Sequence, residues 1–148
     1  MQRGIDYIGV GVGAAIFDKE GRLFITKRGP NAKNERGKWE IPGGSVDFGE
    51  TCEQAIRREM CEENGIEIKV IELLGFFDHI IPDERQHWVS PTFICRIIHG
   101  EPKILEPGKC DEIGWFTIEE AEQLPLSIIT RHDIALLKQK YPRGYGKK

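Results

Sequence analysis

Residues 51–65 are closed at both ends by their own sequence. Thr51 and, three residues on, Gln54 form a capping box, and Gly65 supplies the left-handed residue that ends a helix. Between them Ala55, Ile56 and Met60 recur at helical spacing. The segment therefore predicts one amphipathic helix over residues 51–64 with those three side chains on the core. The loop in front of it, Pro42-Gly43-Gly44 and then Gly49-Glu50, cannot continue an extended segment and lets backbone approach a ligand closely.

Around this helix the pattern is strand-like. Residues 11–17 and 22–27 are short apolar runs about Asp18-Lys19-Glu20-Gly21, which predicts a β-hairpin. Trp39-Glu40-Ile41 reads as extended, as do residues 67–77, 88–98 and 113–116. Residues 128–140 read as a closing helix, with Ile129, Ile134, Leu136 and Leu137 forming most of its apolar side. Several strands with two helices on 148 residues imply a single α/β domain over residues 1–148, with a mixed sheet packed between helices.

Composition narrows the function class. The 24 acidic and 21 basic residues leave a net charge of −3, which argues against a nucleic-acid polymer as partner. The longest uncharged apolar stretch, residues 7–17, is too short to span a bilayer, and the first residues lack the apolar segment of a secretory signal. Cys52, Cys61, Cys95 and Cys110 form no C-x-x-C pair, so free, reduced thiols and a cytoplasmic location are expected. The basic end, residues 138–148, reads as a solvated tail.

Three carboxylates, Glu59, Glu62 and Glu63, sit three and four residues apart on one face of the first helix. Like charges so close repel, and a bound cation would relieve them. Oxygen-only ligands suit Mg²⁺, or Mn²⁺, rather than zinc. The bland alternative is a solvated acidic face. The loop in front favours the metal, since a carbonyl at Gly43 or Gly44 could be a further ligand. Arg58 can pair with Glu50 or another acid and hold the group in place.

Gly44, five residues, Glu50, seven residues, then Arg58-Glu59-Met60-Cys61-Glu62-Glu63-Asn64-Gly65-Ile66 resembles the complete Nudix box. Residues 39–43 and 115–120 extend a softer similarity to MutT-like members. The resemblance implies an α/β/α sandwich and hydrolysis of a nucleoside diphosphate linked to another group. By the same resemblance Glu59, Glu62, Glu63 and the Gly43 carbonyl would hold Mg²⁺, with Arg58 and Glu50 orienting them. Glu106, Asp111 and Glu112 are candidates for a further carboxylate. A MutT-like triphosphate substrate is favoured, ADP-ribose is the alternative through Pro82, and a non-enzymatic nucleotide-sensing module is the third reading. A twofold homodimer is expected from the family and from the frequency of such assemblies.

Other signals are secondary. Phe48, Trp39 and His87 are candidate substrate contacts, although Trp39 and Trp115 also suit a core. His79 flanks the same acidic loop as His87 and borders the expected pocket. Gly9-x-Gly11-x-x-Ala14 resembles a dinucleotide fingerprint, but the turn at residues 18–21 leaves no room for the required helix. Close packing in a strand explains those glycines better.

Overall fold

The computed structural model describes residues 1–147 and shows two sheets separating two cores. β1 (Gly9–Ile16) is the central strand of a four-stranded mixed sheet, ordered β4-β1-β6-β5. It pairs antiparallel with β4 (Gly43–Ser45) and parallel with β6 (Gln86–His99), which in turn pairs antiparallel with β5 (Glu67–Ile81). β2 (Leu23–Arg28), β3 (Trp39–Glu40) and β7 (Cys110–Phe116) form a second, three-stranded antiparallel sheet.

Side-chain alternation decides what each face buries. Ala15 and Phe17 enter one core with Leu23, Ile25, Ile94, Ile134 and Leu137, whereas Val12, Ala14 and Ile16 enter the other with Phe24, Ala55, Ile56 and Met60. The first core is covered by α2 (Ile118–Glu122) and α3 (Ile128–Lys140), the second by α1 (Cys52–Asn64). This is the α/β/α sandwich with a mixed sheet between helices. No helix among the described residues is long and apolar enough to cross a membrane.

α1 follows its sequence closely. The Thr51 hydroxyl accepts from the Gln54 amide at 3.1 Å, and the Gln54 side chain accepts from the Thr51 amide at 2.8 Å. Gly65 turns left-handed at φ 68° and donates to the Cys61 and Met60 carbonyls. α2, absent from the sequence expectation, is closed by the same device between Thr117 and Glu120.

Three expectations are corrected. The turn at Asp18 is not the tip of a hairpin, because β1 and β2 belong to different sheets and share only the Phe17–Leu23 bridge. Both strands must feed the buried space between sheet and helices, so they part beyond the turn. Asp18 still ties the turn itself, its Oδ1 accepting from the Glu20 and Arg22 amides at 3.0 and 2.8 Å. β5 runs four residues and β6 two residues further into their hairpin than the apolar pattern indicates, since the ladder continues through pairs such as Ile80–His87 and Ile81–Gln86. The basic end is not a solvated tail. Tyr141 and Tyr145 pack against the first core, and Arg96 donates to the Tyr145 carbonyl at 3.2 Å. Lys148 lies outside the described residues.

Thr51→Ala removes the oxygen that closes α1. A loss of about 1 kcal/mol is expected, seen as a drop of roughly 2–4 °C in the thermal midpoint. An unchanged midpoint would show that the cap contributes nothing to holding the helix.

Candidate active site

Between β4 and α1 lies a cluster built on one guanidinium. Arg58 Nε and Nη2 donate to the two oxygens of Glu50 at 3.1 and 2.7 Å, a bidentate pair. Nη2 also donates to the Ser45 carbonyl at 3.0 Å, and Nη1 donates to Glu59 at 3.0 Å and Glu62 at 3.2 Å. One side chain thus ties the strand, the loop and two helix carboxylates. The Arg58 hydrogen bonds, helped by the Asp47 amide, hold the Glu50 carboxyl down to about 2. Arg58 itself is raised, first by its bond to Glu50.

The two glycines of the loop are required by contact. A Cβ on Gly43 would stand 1.9 Å from the Val12 carbonyl oxygen, and one on Gly44 would stand 2.2 Å from the Glu59 carboxyl carbon. At Gly43 the obstacle is backbone, and at Gly44 the Glu59 carboxylate would have to move aside.

Glu63, one turn beyond Glu59, lines a cavity of about 720 Å³ together with Gly43, Gly44, Asn64, Glu40 and Glu106. Burial raises the Glu63 carboxyl, and the negative charge of Glu59 raises it further. Two carboxylates therefore converge where both cannot comfortably be ionised. A divalent cation would supply the missing charge, and Mg²⁺ commonly takes one or two carboxylates with the rest of its shell oxygen. The donor set, all oxygen and carrying a backbone carbonyl option at Gly43, fits Mg²⁺ or Mn²⁺. Glu62 differs from its neighbours. It is more than half exposed and directed to Arg58, and among the described residues no group of three or more His, Cys, Asp or Glu side chains is gathered round one point.

Of the candidates for a further carboxylate, Glu106 lines the cavity, while Asp111 and Glu112 are exposed outside its wall. The substrate-contact candidates separate in the same way. Trp39 is corrected to a core residue: it is buried, edge-on to Phe116 with centroids 5.3 Å apart, and outside the cavity wall. Phe48 is fully exposed and His87 is also outside the wall, whereas His79 and Trp88 line it. Pro82 sits in an exposed 3-10 turn and is not itself part of the lining, which its neighbour Ile81 joins.

The opening itself comes from β1. Gly11 and Gly13 lie on the strand face that Ala15 and Phe17 fill further along, and without side chains they leave a hollow there. Gly9 accommodates Trp88, whose ring would lie 2.6 Å from a Cβ at that position.

Several lining residues were not singled out in the sequence. Arg28 and Glu40 pair at 2.9 Å, and Arg28 also binds Asn34 twice, at 2.9 and 3.0 Å, which fixes the rim loop. Burial raises the Glu40 carboxyl while Arg28 opposes the shift. Thr92 and Asp133 are buried polar residues on the α3 side. A signal for Asp133 existed, since it lies next to Ile134 and four residues before Leu137, on a helix face expected to be apolar.

Comparisons with known proteins give the family. The NUDIX domain family model matches residues 8–137. The chain belongs to the NUDIX family. It is 38% identical over 109 residues to an ADP-ribose pyrophosphatase of Methanocaldococcus jannaschii, covering 74% of this chain and 62% of that one. It is 32% identical over 117 residues to a CTP pyrophosphohydrolase of Escherichia coli, covering 77% and 80%. A solved MutT NUDIX hydrolase from Burkholderia pseudomallei superposes with a TM-score of 0.82 at 37% identity, covering 89% of this chain and 99% of that one. The chain thus spans less than two thirds of the archaeal relative.

The depressed Glu50 carboxyl gives a pH signature. Because its folded-state value lies near 2 against an ordinary 4.5, its stabilisation is present above pH 4.5 and disappears as pH falls through about 2. Glu50→Gln should therefore melt below the unsubstituted protein at pH 6, with the gap closing between pH 4.5 and 2. A gap that stays constant over that range would contradict the Arg58 pairing.

Proposed function

We propose that this NUDIX protein is a divalent-cation-dependent hydrolase that cleaves a nucleoside triphosphate to a monophosphate and pyrophosphate. The observation carrying this is the convergence of Glu59 and Glu63 against Gly43–Gly44, locked by Arg58, at the wall of a cavity large enough for a nucleotide. The similarity to an ADP-ribose pyrophosphatase and to a CTP pyrophosphohydrolase supports the reaction class.

Mg²⁺ or Mn²⁺ held at these carboxylates would neutralise pyrophosphate charge and activate a water. The chain's own groups supply the rest. Arg58 spans Glu50, Glu59 and Glu62 and so keeps the acids oriented without contacting substrate. With a cation bound, Glu63 would be held ionised, and its place in the cavity wall would let a carboxylate oxygen take up a proton from the attacking water. Glu106, part of the same wall, is the second group placed for that role. No side chain need form a covalent intermediate.

ADP-ribose hydrolysis, giving AMP and ribose 5-phosphate, is the second reading and rests on the archaeal relative. Pro82 lends it no support, since that residue is exposed and outside the cavity wall. A purely nucleotide-sensing role would not need the intact set of Glu50, Glu59, Glu62 and Glu63.

Incubation with Mg²⁺ and a panel of natural (d)NTPs, 8-oxo-dGTP and ADP-ribose, with products separated by chromatography, tests the proposal. Monophosphate plus pyrophosphate is the expected result, falling by about 100-fold or more in Glu63→Gln, within the usual contribution of an acid–base group. AMP and ribose 5-phosphate with triphosphates untouched would move the protein to the second reading. Turnover that survives Glu63→Gln would overturn the site.

A further inference from the structure

The four-stranded sheet runs further than the helix that covers it. On the α1 side, Val12, Ala14 and Ile16 of β1 and Phe93, Cys95 and Ile97 of β6 belong to the second core or pack against it. Toward the β5–β6 hairpin the same face continues outside that core. Strand pairing sets its rows: Phe93 beside Leu73, Pro91 beside Phe76, Val89 between Val10 and Asp78, and His87 beside Ile80. The alternate residues Trp88, Ser90, Thr92, His79 and Ile81 line the cavity, so these rows point away from it.

Large apolar side chains meet solvent on this face. Phe76 is 59% exposed, Ile80 55% and Leu73 53%, and Val10, Val89 and Pro91 are half-buried between them. Together they present roughly 400 Å² of apolar surface, which on a monomer marks a site of interaction. With Asp78 and His87 included, a partner laid on the face covers about 600 Å². Two such faces bury about 1,200 Å² in all, the lower end of specific protein interfaces.

Two observations select the partner. The outer edge of β5 is closed in its middle, because Lys140 Nζ donates to the Leu74 carbonyl at 3.2 Å and the Tyr141 hydroxyl is hydrogen-bonded to Glu72. A partner therefore meets the face and not the edge. The rows hold no lysine or arginine, which disfavours a nucleic acid or an anionic lipid surface. Their polar side chains are one carboxylate, Asp78, and one imidazole, His87, in adjacent rows on neighbouring strands. A wholly apolar partner would bury the Asp78 carboxylate without a donor. A second copy turned about a twofold axis offers the same apolar rows and brings a His87 to each Asp78.

We propose that the α1-side face of the β5–β6 hairpin is the interface of a twofold homodimer. Sheet packs on sheet at about 10 Å, and Asp78 of each copy is hydrogen-bonded to His87 of the other. The interface stands apart from the reaction, whichever nucleotide is cleaved. The opposite face of the same two strands carries His79, Ile81 and Trp88 into the cavity wall, so the dimer backs that wall with a second sheet.

Sedimentation equilibrium over protein concentrations from about 1 to 100 µM reads the association directly. The unsubstituted protein is expected to dimerise in that range, and Phe76→Glu should weaken the dimer by about 30-fold or more. Should that variant not fold, Ile80→Lys serves in its place, and an unchanged thermal midpoint of the diluted protein shows that the fold is intact. Asp78→His and His87→Asp should each weaken association by about fivefold, and the two together should restore it. A monomer at every concentration, or a dimer equally tight in Phe76→Glu and Ile80→Lys, would overturn the proposal. Weakening by Phe76→Glu with no recovery in the exchanged pair would overturn the contact between Asp78 and His87.

Discussion

The Arg58 guanidinium is the interaction on which the rest of the site depends. It faces three glutamates and a backbone carbonyl, and it is the cation that reconciles their charges in the metal-free protein. A lysine would bring one point charge in place of a planar fork and could not hold Glu50 at two oxygens while reaching Glu59. With Glu50 and Glu59 pinned, the helix presents Glu63 to the cavity. The glycines at 43 and 44 make this compatible with the sheet, because any side chain there would collide with the Val12 carbonyl or the Glu59 carboxylate.

The cavity has a second, separate cause in the central strand. A run of alternating small and apolar residues would normally fill both faces of β1. Here the face toward α3 carries Gly9, Gly11 and Gly13 before Ala15 and Phe17, so the core begins only part-way along the strand. Trp88 closes the hollow at Gly9, and polar residues of β6 and α3 take the place of apolar ones at its floor. Binding space is thus made by omitting side chains from a rigid element rather than by a mobile loop.

Much of this was legible in the sequence where the signal is local. The capping box, the stop at Gly65 and the offsets of Glu59, Glu62 and Glu63 all lie within one helix, and the structure follows them. Long-range pairing was harder to read. The turn at Asp18 has hairpin chemistry, yet which sheet each flanking strand joins is decided by partners some eighty and ninety residues away, on β6 and β7. Trp39 showed only that a large aromatic preceded the box, and its burial against Phe116 depends on strands that meet in three dimensions. Asp133 was passed over because its neighbours Ile134 and Leu137 make the face look apolar. The polar partner that explains it, Thr92, lies 41 residues earlier.

We propose that Glu59, held by Arg58, and Glu63 in the cavity wall form a divalent-cation site. Titration of Mn²⁺ into the protein, with free Mn²⁺ followed by electron paramagnetic resonance, tests it without reference to any substrate. Saturable binding that weakens by about tenfold or more in Glu59→Gln, in line with the loss of a ligand carboxylate, is the predicted result. Binding of equal strength in the two proteins would contradict it.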